Sequence, residues 1–452
     1  MRLSLGQRTG SWRKNQVRHS KITTRGLRLA CATAIATVLA ISSPLAQEKS
    51  LLVIGGQGQF DNMRGQGTAV GGADILTPFE AEHGAKVNWS VATNPQLQES
   101  LQRLGPLSST AEDVIFVHQF DTNSRLPDYL EPLDSYITAS PIDGFPDDWA
   151  PGVLAASVFD DQRYLVPFRC GAMTLWYNDE LFAERGLSEG PKVPEDIYEI
   201  AKAATFTRAN GEQVFGAAFR GTSWSITEDL AALARAYGGD LVQPDGTVTV
   251  NHEPVVNAVN LLKRLYKEGL MPPNWATLDQ SGVNQLFKDG RVALTLGGTN
   301  YNKTFNDGSS VVDGHAVATR WPLVAELQTP ERNYGAGTVF YWGLGILKGS
   351  QNKQLAADLI GHISTPQAVH DLAVNGSGPC TASELAIAAQ SDPAMAIQAE
   401  IFSVSSSPLP VNENINQIRD VLGETIQNIV VNDLDTQAEL DGLARRFERL
   451  YS

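Results

Sequence analysis

The stretch YLVPFRCGAMTLWYNDELF, residues 164–182, carries the clearest fold signal in the chain. Leu175–Tyr177 within it is a short apolar run, and Phe168 and Arg169 precede that run. Short apolar runs bounded by glycine or polar residues predict buried strands. Four similar runs occur elsewhere in the chain, at Leu51–Ile54, Val114–Val117, Val292–Leu296 and Leu344–Leu347.

Helical patterns lie between these runs. One predicted helix has Asn251 as its N-cap, Pro254 in its first turn and Gly269 at its end. Another begins at Thr365-Pro366, and the spacing of Leu440, Leu443, Phe447 and Leu450 predicts an amphipathic C-terminal helix. Apolar strands that alternate with helices predict α/β layers built on a largely parallel sheet.

The chain has two sections of opposite charge. It contains 452 residues, with 35 Lys+Arg and 50 Asp+Glu, for a net charge of −15. The first 46 residues hold eight of the basic residues and no acid. A basic region, the apolar run Leu29–Ile41 and a small residue at Ala46 predict a secretory signal peptide over residues 1–46. A transit peptide, or a start codon upstream of a shorter signal, is the alternative, and Cys31 is expected to leave with this segment.

The acidic remainder excludes several function classes. It holds 27 basic and 50 acidic residues, which argues against binding to nucleic acid or to an anionic membrane surface. No later stretch reaches about 18 uninterrupted apolar residues, so we expect the mature protein to be soluble. With 42% hydrophobic residues, the composition is that of a globular protein.

Recognisable catalytic motifs are absent from the sequence. There is no H-E-x-x-H, no G-x-S-x-G and no G-x-x-x-x-G-K-[ST] pattern. Gly56-Gln57-Gly58 begins like a dinucleotide fingerprint, but Asp61 occupies the position of the third glycine. We therefore expect no catalytic residue, no cofactor and no metal. Cys170 and Cys380 lie 210 positions apart, and their spacing leaves both a disulfide and free thiols open.

Polar and aromatic residues follow or flank the predicted strands. In open α/β sheets, ligands bind outside the carboxyl ends of strands. An aromatic face suits the C–H surface of a sugar ring, while Asp, Asn, Gln and Arg suit its hydroxyl groups. Phe60, Phe120 and Phe168 equally suit the core, and of the adjacent Tyr341 and Trp342 only one is expected to face a cleft. The residues near strand ends are Gln57, Gln59, Asp61, Asn62, His118, Gln119, Asp121, Asn300 and Tyr301.

Five segments occur in an order that resembles a known family. They are Phe79–Val87; Asp113–Phe116 with Tyr129–Asp134; Tyr164–Phe168 with Leu175–Phe182; Phe287–Leu294; and Gly343–Ile346 with Ser350–Lys353. The match with "Y-x-V-P … L-x-Y-N-K-D-L-F" in the third is the most specific. From about residue 51 to 450, the chain resembles the family 1 extracellular solute-binding proteins, the maltose-binding-protein-like, sugar-capturing components of bacterial ABC importers.

The resemblance implies an α/β, two-lobed periplasmic-binding-protein fold with hinge strands and a central ligand cleft. The first lobe would comprise residues 47–169 and 344–392, and the second 170–343 and 393–452, with crossings near Arg169–Gly171 and Gly343. Cys170 would lie at a crossing and Cys380 in a cleft-side loop, which favours a close approach of the two and leaves both a bridge and buried free thiols open. The lobes would close on a carbohydrate by hinge bending, and a periplasmic monomer would deliver it to membrane permease subunits.

The resemblance also implies a set of ligand-binding residues. Tyr301 stands where relatives often keep a stacking Trp, which changes the stacking geometry. Arg169, or Arg320 beside Trp321, is compatible with an anionic sugar derivative, although a hydroxyl donor or a structural ion pair also fits. The implied set is Gln57, Gln59, Asp61, Gln119, Asp121, Arg169, Trp224, Asn300, Tyr301 and Trp342.

Two other functions remain open. A polyamine-binding protein of the same fold would use carboxylates such as Asp61 and Asp121, but Arg169 opposes a cationic ligand. A periplasmic glycosidase or lyase would need two opposed carboxylates, and no spacing in the sequence reveals such a pair. The sequence does not specify which sugar is bound, because closely similar scaffolds accept many.

Overall fold

The computed structural model describes residues 49–66, 72–150, 153–154 and 157–451. The predicted signal peptide over residues 1–46, with Cys31, lies outside the described residues. No described helix is long and apolar enough to cross a membrane. Within the same ranges, no group of three or more His, Cys, Asp or Glu side chains is arranged to hold a metal ion.

The described residues form strands and helices in alternation. The strands are β1 (Lys49–Gly55), β2 (Ala85–Val91), β3 (Val114–His118), β4 (Val158–Phe159), β5 (Gln162–Arg163), β6 (Val166–Asn178), β7 (Phe206–Thr207), β8 (Gln213–Ala218), β9 (Val292–Gly298), β10 (Ala316–Thr319) and β11 (Thr338–Ile346). The helices are α1 (Gln57–Met63), α2 (Leu76–His83), α3 (Asn94–Leu104), α4 (Leu126–Tyr129), α5 (Asp134–Ala139), α6 (Asp179–Glu184), α7 (Pro194–Ala204), α8 (Ile226–Ala236), α9 (Glu253–Lys267), α10 (Gln280–Lys288), α11 (Asn302–Phe305), α12 (Lys353–Ile363), α13 (Pro366–Val374), α14 (Ala382–Ala388), α15 (Pro393–Val404), α16 (Ile415–Asn432) and α17 (Thr436–Tyr451). Short 3₁₀ turns cover Gln119–Asp121, Trp275–Thr277, Thr299–Tyr301 and Ala325–Leu327.

Within the described residues, nine strands form one mixed sheet in the order β2-β1-β3-β11-β6-β9-β8-β7, with β10 also paired to β6. The five predicted strands are confirmed, but the prediction of a largely parallel sheet is wrong. Parallel pairing is confined to β1–β2, β1–β3 and β8–β9, whereas β11 and β6 run antiparallel to their neighbours in the middle of the sheet. An apolar run shows that a strand is buried, but it does not give the strand's direction.

The predicted helices are present, with one corrected end. Helix α9 ends just before Gly269, whose φ of 69° lies in the left-handed region that glycine tolerates. Its N-cap is His252, not Asn251, whose side chain donates instead to Asp441 of α17 at 2.8 Å. The hydroxyl of Thr365 caps α13 as predicted, and Leu440, Leu443 and Phe447 of α17 are buried.

Two large apolar clusters form the core. The first core cluster includes Leu51, Val114, Val166, Leu344 and Leu359. The second core cluster includes Ala172, Leu175, Val259, Leu422 and Phe447. Strands β6 and β11 supply residues to both clusters, so the chain passes from one to the other in two adjacent strands.

The two strands change clusters at the same level of the sheet. Cys170 lies opposite Tyr341, and Arg169 lies opposite Trp342, where the register of the pairing then shifts between Trp342 and Gly343. On β6, Cys170 belongs to the first core cluster and Ala172 to the second. We call this level of the sheet the crossing.

A disulfide joins Cys170 of β6 to Cys380, in the loop between α13 and α14, with Cα atoms 4.9 Å apart. The backbone supports this contact, because the Cys170 amide donates to the Gly378 carbonyl at 2.9 Å. A Cβ at position 378 would lie 1.9 Å from the Cys170 carbonyl oxygen, so only glycine allows this approach. The structure thus contains the bridge that the sequence left open.

Candidate functional site

The candidate site lies at the crossing, where aromatic rings from β3, β11 and the loop before α8 meet. His118 ends β3, and its ring centroid lies 4.5 Å from that of Trp342 on β11. Trp224 approaches from the loop before α8, with its ring 5.5 Å from that of His118. Burial, with Arg419 and Arg220 nearby, holds the pKa of His118 well below its usual value, so the imidazole is neutral at pH 7.

Arg419 of α16 extends into this aromatic group. Its guanidinium carbon lies 3.8 Å from the ring centroid of Phe120 and 4.6 Å from that of Trp224, and it also donates to the Trp224 carbonyl. Burial lowers the pKa of Arg419 to about 10, although Glu228 and Asp121 act in the opposite direction. The contact is a cation–π arrangement with two aromatic faces.

Asp121 is the last residue of the Gln119–Asp121 turn after β3 and is half-buried. Burial raises its pKa to about 7, and the positive charge of Arg419 only partly offsets that effect. Asp121 therefore exchanges its proton near neutral pH.

A buried ionic cluster lies behind the aromatic residues. Arg220 follows β8 and bonds to Glu228 at 2.7 Å and, through Nε, to Asp229 at 2.7 Å. Burial alone would lower the pKa of Arg220, but the two carboxylates raise it above its usual value. Burial raises the pKa of Asp229 to about 6 against the pull of Arg220. This arrangement fixes the start of α8 against the strand ends.

Besides Nε of Arg419, three further polar atoms at the crossing are buried and have no hydrogen-bond partner among the described residues. They are Nε of Arg169, Nε2 of Gln119 and Oδ1 of Asn300. The other amide atom of Gln119 accepts a hydrogen bond from the Tyr341 amide at 3.1 Å, which fixes the orientation of the side chain. Buried polar atoms normally have partners, so this concentration of unsatisfied donors and acceptors distinguishes the crossing as a place for a polar ligand.

Tyr301 connects these polar atoms to the ionic cluster. It is half-buried beside Arg169, which lowers its pKa, but burial has the larger effect and raises the pKa overall. Arg220 and Glu228 also act on its hydroxyl. The ring carbon Cε1 of Tyr301 would lie 3.4 Å from a Cβ at Gly298, so the turn after β9 packs closely.

Other residues that the sequence predicted for the site are paired with each other or packed in the core. Gln57 is exposed and donates to Asp61 at 2.7 Å, so these two side chains pair with each other at the start of α1. Gln59 is buried. Trp342 is largely core, with its ring against His118 and 7% of its surface exposed.

Arg320 is not part of the candidate site, because its guanidinium is paired with a carboxylate elsewhere. Its guanidinium pairs with Glu400, with Nε bonded at 2.6 Å, and the neighbouring Trp321 is buried with its indole bonded to the Met173 carbonyl at 2.7 Å. The structural ion pair that the sequence left open thus applies to Arg320. Phe168 and Phe120 pack against the core, which is one of the two roles that the sequence left open for them. Phe168 packs edge-to-face on Phe116, and Phe120 is buried under Arg419.

Sequence reasoning missed Arg220, Glu228 and Arg419. Arg220 lies two residues after β8, so the rule that ligands bind beyond strand ends would have found it. Arg419 lies in the second turn of the amphipathic helix α16, and no local sequence signal distinguishes it. Only the packing of α16 against Phe120 and Trp224 brings it to the crossing.

Comparison with known proteins identifies the family. The model of the bacterial extracellular solute-binding protein family matches residues 66–370. The chain belongs to this family. The family consists of extracellular binding proteins, and not of enzymes.

Curated relatives are similar to this chain over part of its length. A putative binding protein of Brucella abortus is 25% identical over 224 residues, which is 49% of this chain and 53% of the relative. The maltotriose-binding protein of Pyrococcus abyssi is 23% identical over 286 residues, 62% of this chain and 57% of the relative. The chain thus spans little more than half the length of these curated relatives.

Solved structures match over most of the chain. Maltose-bound MalE3 of Thermotoga maritima is 18% identical, with a TM-score of 0.76 over 89% of this chain and 99% of that one. A ribitol-bound solute-binding protein of Agrobacterium radiobacter is 18% identical, with a TM-score of 0.75 over 89% of this chain and 98% of that one. These likenesses give the chain the two-lobed periplasmic-binding-protein fold, as the sequence predicted.

Proposed function

We propose that this protein captures a carbohydrate (a sugar, a polyol or a sugar derivative) at the crossing and delivers it to the permease of an ABC importer. The observation that carries the proposal is the combination of aromatic rings and unsatisfied polar atoms at the crossing. Trp224 and Tyr301 offer ring faces, and Gln119 and Asn300 offer an unpaired donor and an unpaired acceptor. A polyhydroxylated ring needs both kinds of contact.

The names and bound ligands of similar proteins support this ligand class. Three of the proteins described above are named for maltotriose or were solved with maltose or ribitol. All of these ligands carry many hydroxyl groups and no net charge.

The capture mechanism would use two lobes, each built mainly on one of the two core clusters. We assign residues 47–169 and 344–392 to the first lobe and residues 170–343 and 393–452 to the second. The ligand would contact Gln119 and Asp121 from one lobe and Trp224, Asn300 and Tyr301 from the other, so closure would be favoured only when it is bound. No chemical step is required, and the protein would act as a periplasmic monomer.

A thermal-shift screen of residues 47–452 against sugars, sugar alcohols, sugar acids and polyamines tests the proposal. A ligand at about 100 times its Kd stabilises the folded state by roughly 2.7 kcal/mol, which is a measurable rise in Tm. We expect a rise with at least one carbohydrate and no product after prolonged incubation. A rise with polyamines alone, or a product formed from the carbohydrate, would reject the proposal.

A further inference from the structure

The three arginines at the crossing differ in what balances their charge. Arg220 is bonded to the carboxylates of Glu228 and Asp229. Arg419 lies on two aromatic faces, bonds to the Trp224 carbonyl and is under the influence of Glu228 and Asp121. Arg169 has no carboxylate within ion-pair distance among the residues that the structure describes.

The surroundings of Arg169 are poor in negative charge. Among the residues that the structure describes, the titratable group that acts on Arg169 is the hydroxyl of Tyr301, which is neutral at pH 7 because its pKa lies above its ordinary value of about 10. Nε of Arg169 is fully buried without a partner, while the side chain as a whole keeps part of its surface exposed. Asp61, in the nearby helix α1, is bonded to Gln57 instead.

A guanidinium in this position calls for an anionic partner. Withdrawing a charge from water is costly unless that charge is paired, and neutral hydroxyl groups offset only part of the cost. The planar guanidinium fork matches a carboxylate in a bidentate arrangement, which a neutral sugar does not offer. Helix α1 lies beside the guanidinium without a side chain against it, because a Cβ at Gly58 would lie 4.0 Å from an Arg169 terminal nitrogen.

We propose that the ligand is an acidic carbohydrate, a uronic acid or an aldonic acid, whose carboxylate pairs with Arg169. The carboxylate lies at one end of the site, and the hydroxyl groups contact Gln119, Asn300 and the ring of Trp224. This inference rests on the proposed carbohydrate-binding function and narrows it to one class of substrate.

The test compares matched pairs of ligands by calorimetry on residues 47–452. The pairs are D-glucuronate with D-glucose, D-galacturonate with D-galactose, and D-gluconate with D-glucitol. We expect at least one acid to bind about tenfold or more tightly than its neutral counterpart, as a charge-assisted contact implies. Arg169→Gln should abolish that preference, because it removes the charge that pairs with the carboxylate of the acid.

Arg320→Gln is the matched control, because it removes an arginine whose partner is Glu400 and should keep the preference. The melting temperature and circular dichroism of Arg169→Gln verify that the variant is folded. The comparison of acids with neutral sugars on the wild-type protein does not depend on this variant. Neutral members binding as tightly as the acids, or a preference that survives Arg169→Gln, would overturn the inference while the proposed function stands. Binding of neither class would overturn both.

Discussion

The guanidinium carbon of Arg419 lies 4.6 Å from the ring centroid of Trp224, and its nitrogen bonds to the carbonyl of the same residue. This pair joins α16, near the end of the chain, to the loop before α8. Because Arg419 covers one region of the Trp224 ring and His118 approaches another, the indole is held in a fixed orientation. A fixed aromatic face is the feature that a sugar ring requires for stacking.

Trp224→Ala should weaken carbohydrate binding by about tenfold, since a lost aromatic face is worth about 1–2 kcal/mol. Calorimetry with the ligand found in the screen measures the effect. Tyr334→Ala is the control, because Tyr334 contacts Arg320 and Arg332 instead and should leave the affinity unchanged. Equal affinity of Trp224→Ala and the wild type would remove Trp224 from the site.

The stability of the ligand-free protein should fall as pH rises towards 7. The pKa of Asp121 is raised to about 7 in the folded state, from about 3.9 when unfolded, so the folded state holds the proton more tightly. Its contribution is fully present below about pH 4 and is lost as pH rises through about 7. The pKa of Asp229 is also raised, to about 6, so Asp229 contributes to the same fall in stability in the wild type and in every variant that keeps it.

Asp121→Asn should flatten this dependence, because the amide has no proton to lose. Melting temperatures between pH 5 and pH 8 provide the comparison, and the loss in the wild type should exceed that in the variant by about 2 °C or more. Asp128→Asn, at an exposed carboxylate, should keep the wild-type slope. Parallel curves for Asp121→Asn and the wild type would show that Asp121 is ionised throughout.

Removing Arg220 should be strongly destabilising. Glu228 and Asp229 would remain buried without their partner, which typically costs about 3–5 kcal/mol. Urea unfolding of Arg220→Ala measures the loss. The matched change Arg320→Ala breaks a more exposed pair and should cost about 1 kcal/mol or less. Similar losses for the two variants would mean that the buried cluster stabilises the fold no more than the exposed pair does.

Loss of the Cys170–Cys380 bridge should lower stability by roughly 2–5 kcal/mol, because the bridge constrains the unfolded chain. Thermal unfolding with and without a reductant tests this in the wild type. The double variant Cys170→Ser and Cys380→Ser should melt near the reduced wild type and show no response to the reductant. The test uses residues 47–452, which lack Cys31. Reaction of this oxidised protein with a thiol-alkylating reagent when unfolded, before any reduction, would contradict the bridge.

Local patterns predicted much of the secondary structure. The runs at Leu51–Ile54, Val114–Val117 and Val292–Leu296 became β1, β3 and β9, and Thr365 capped α13. Strand burial and helix capping depend mainly on residues that are close in sequence, so both can be predicted from a single sequence. The two-lobed fold was inferred from five ordered motifs, and it agrees with the similarity to solved structures.

The candidate site was predictable only in part. The rule that ligands bind beyond strand ends led to Gln119, Asp121, Asn300 and Tyr301, and the structure brings them to the crossing. Their role in binding stays a prediction. Gln57 and Asp61, selected by the same rule, pair with each other instead, because the rule gives the end of a strand and not the direction of each side chain.

By itself, the sequence determined which segments are strands and helices and, through the order of its motifs, which family the chain belongs to. The tertiary structure alone decided the antiparallel centre of the sheet, the bridge between Cys170 and Cys380, and the contact of Arg419 with Trp224. It also decided that Arg320 has a carboxylate partner and Arg169 has none among the described residues. The physical reason is distance along the chain. Charges and rings far apart in sequence meet only after folding, and their energies depend on burial that no local pattern records.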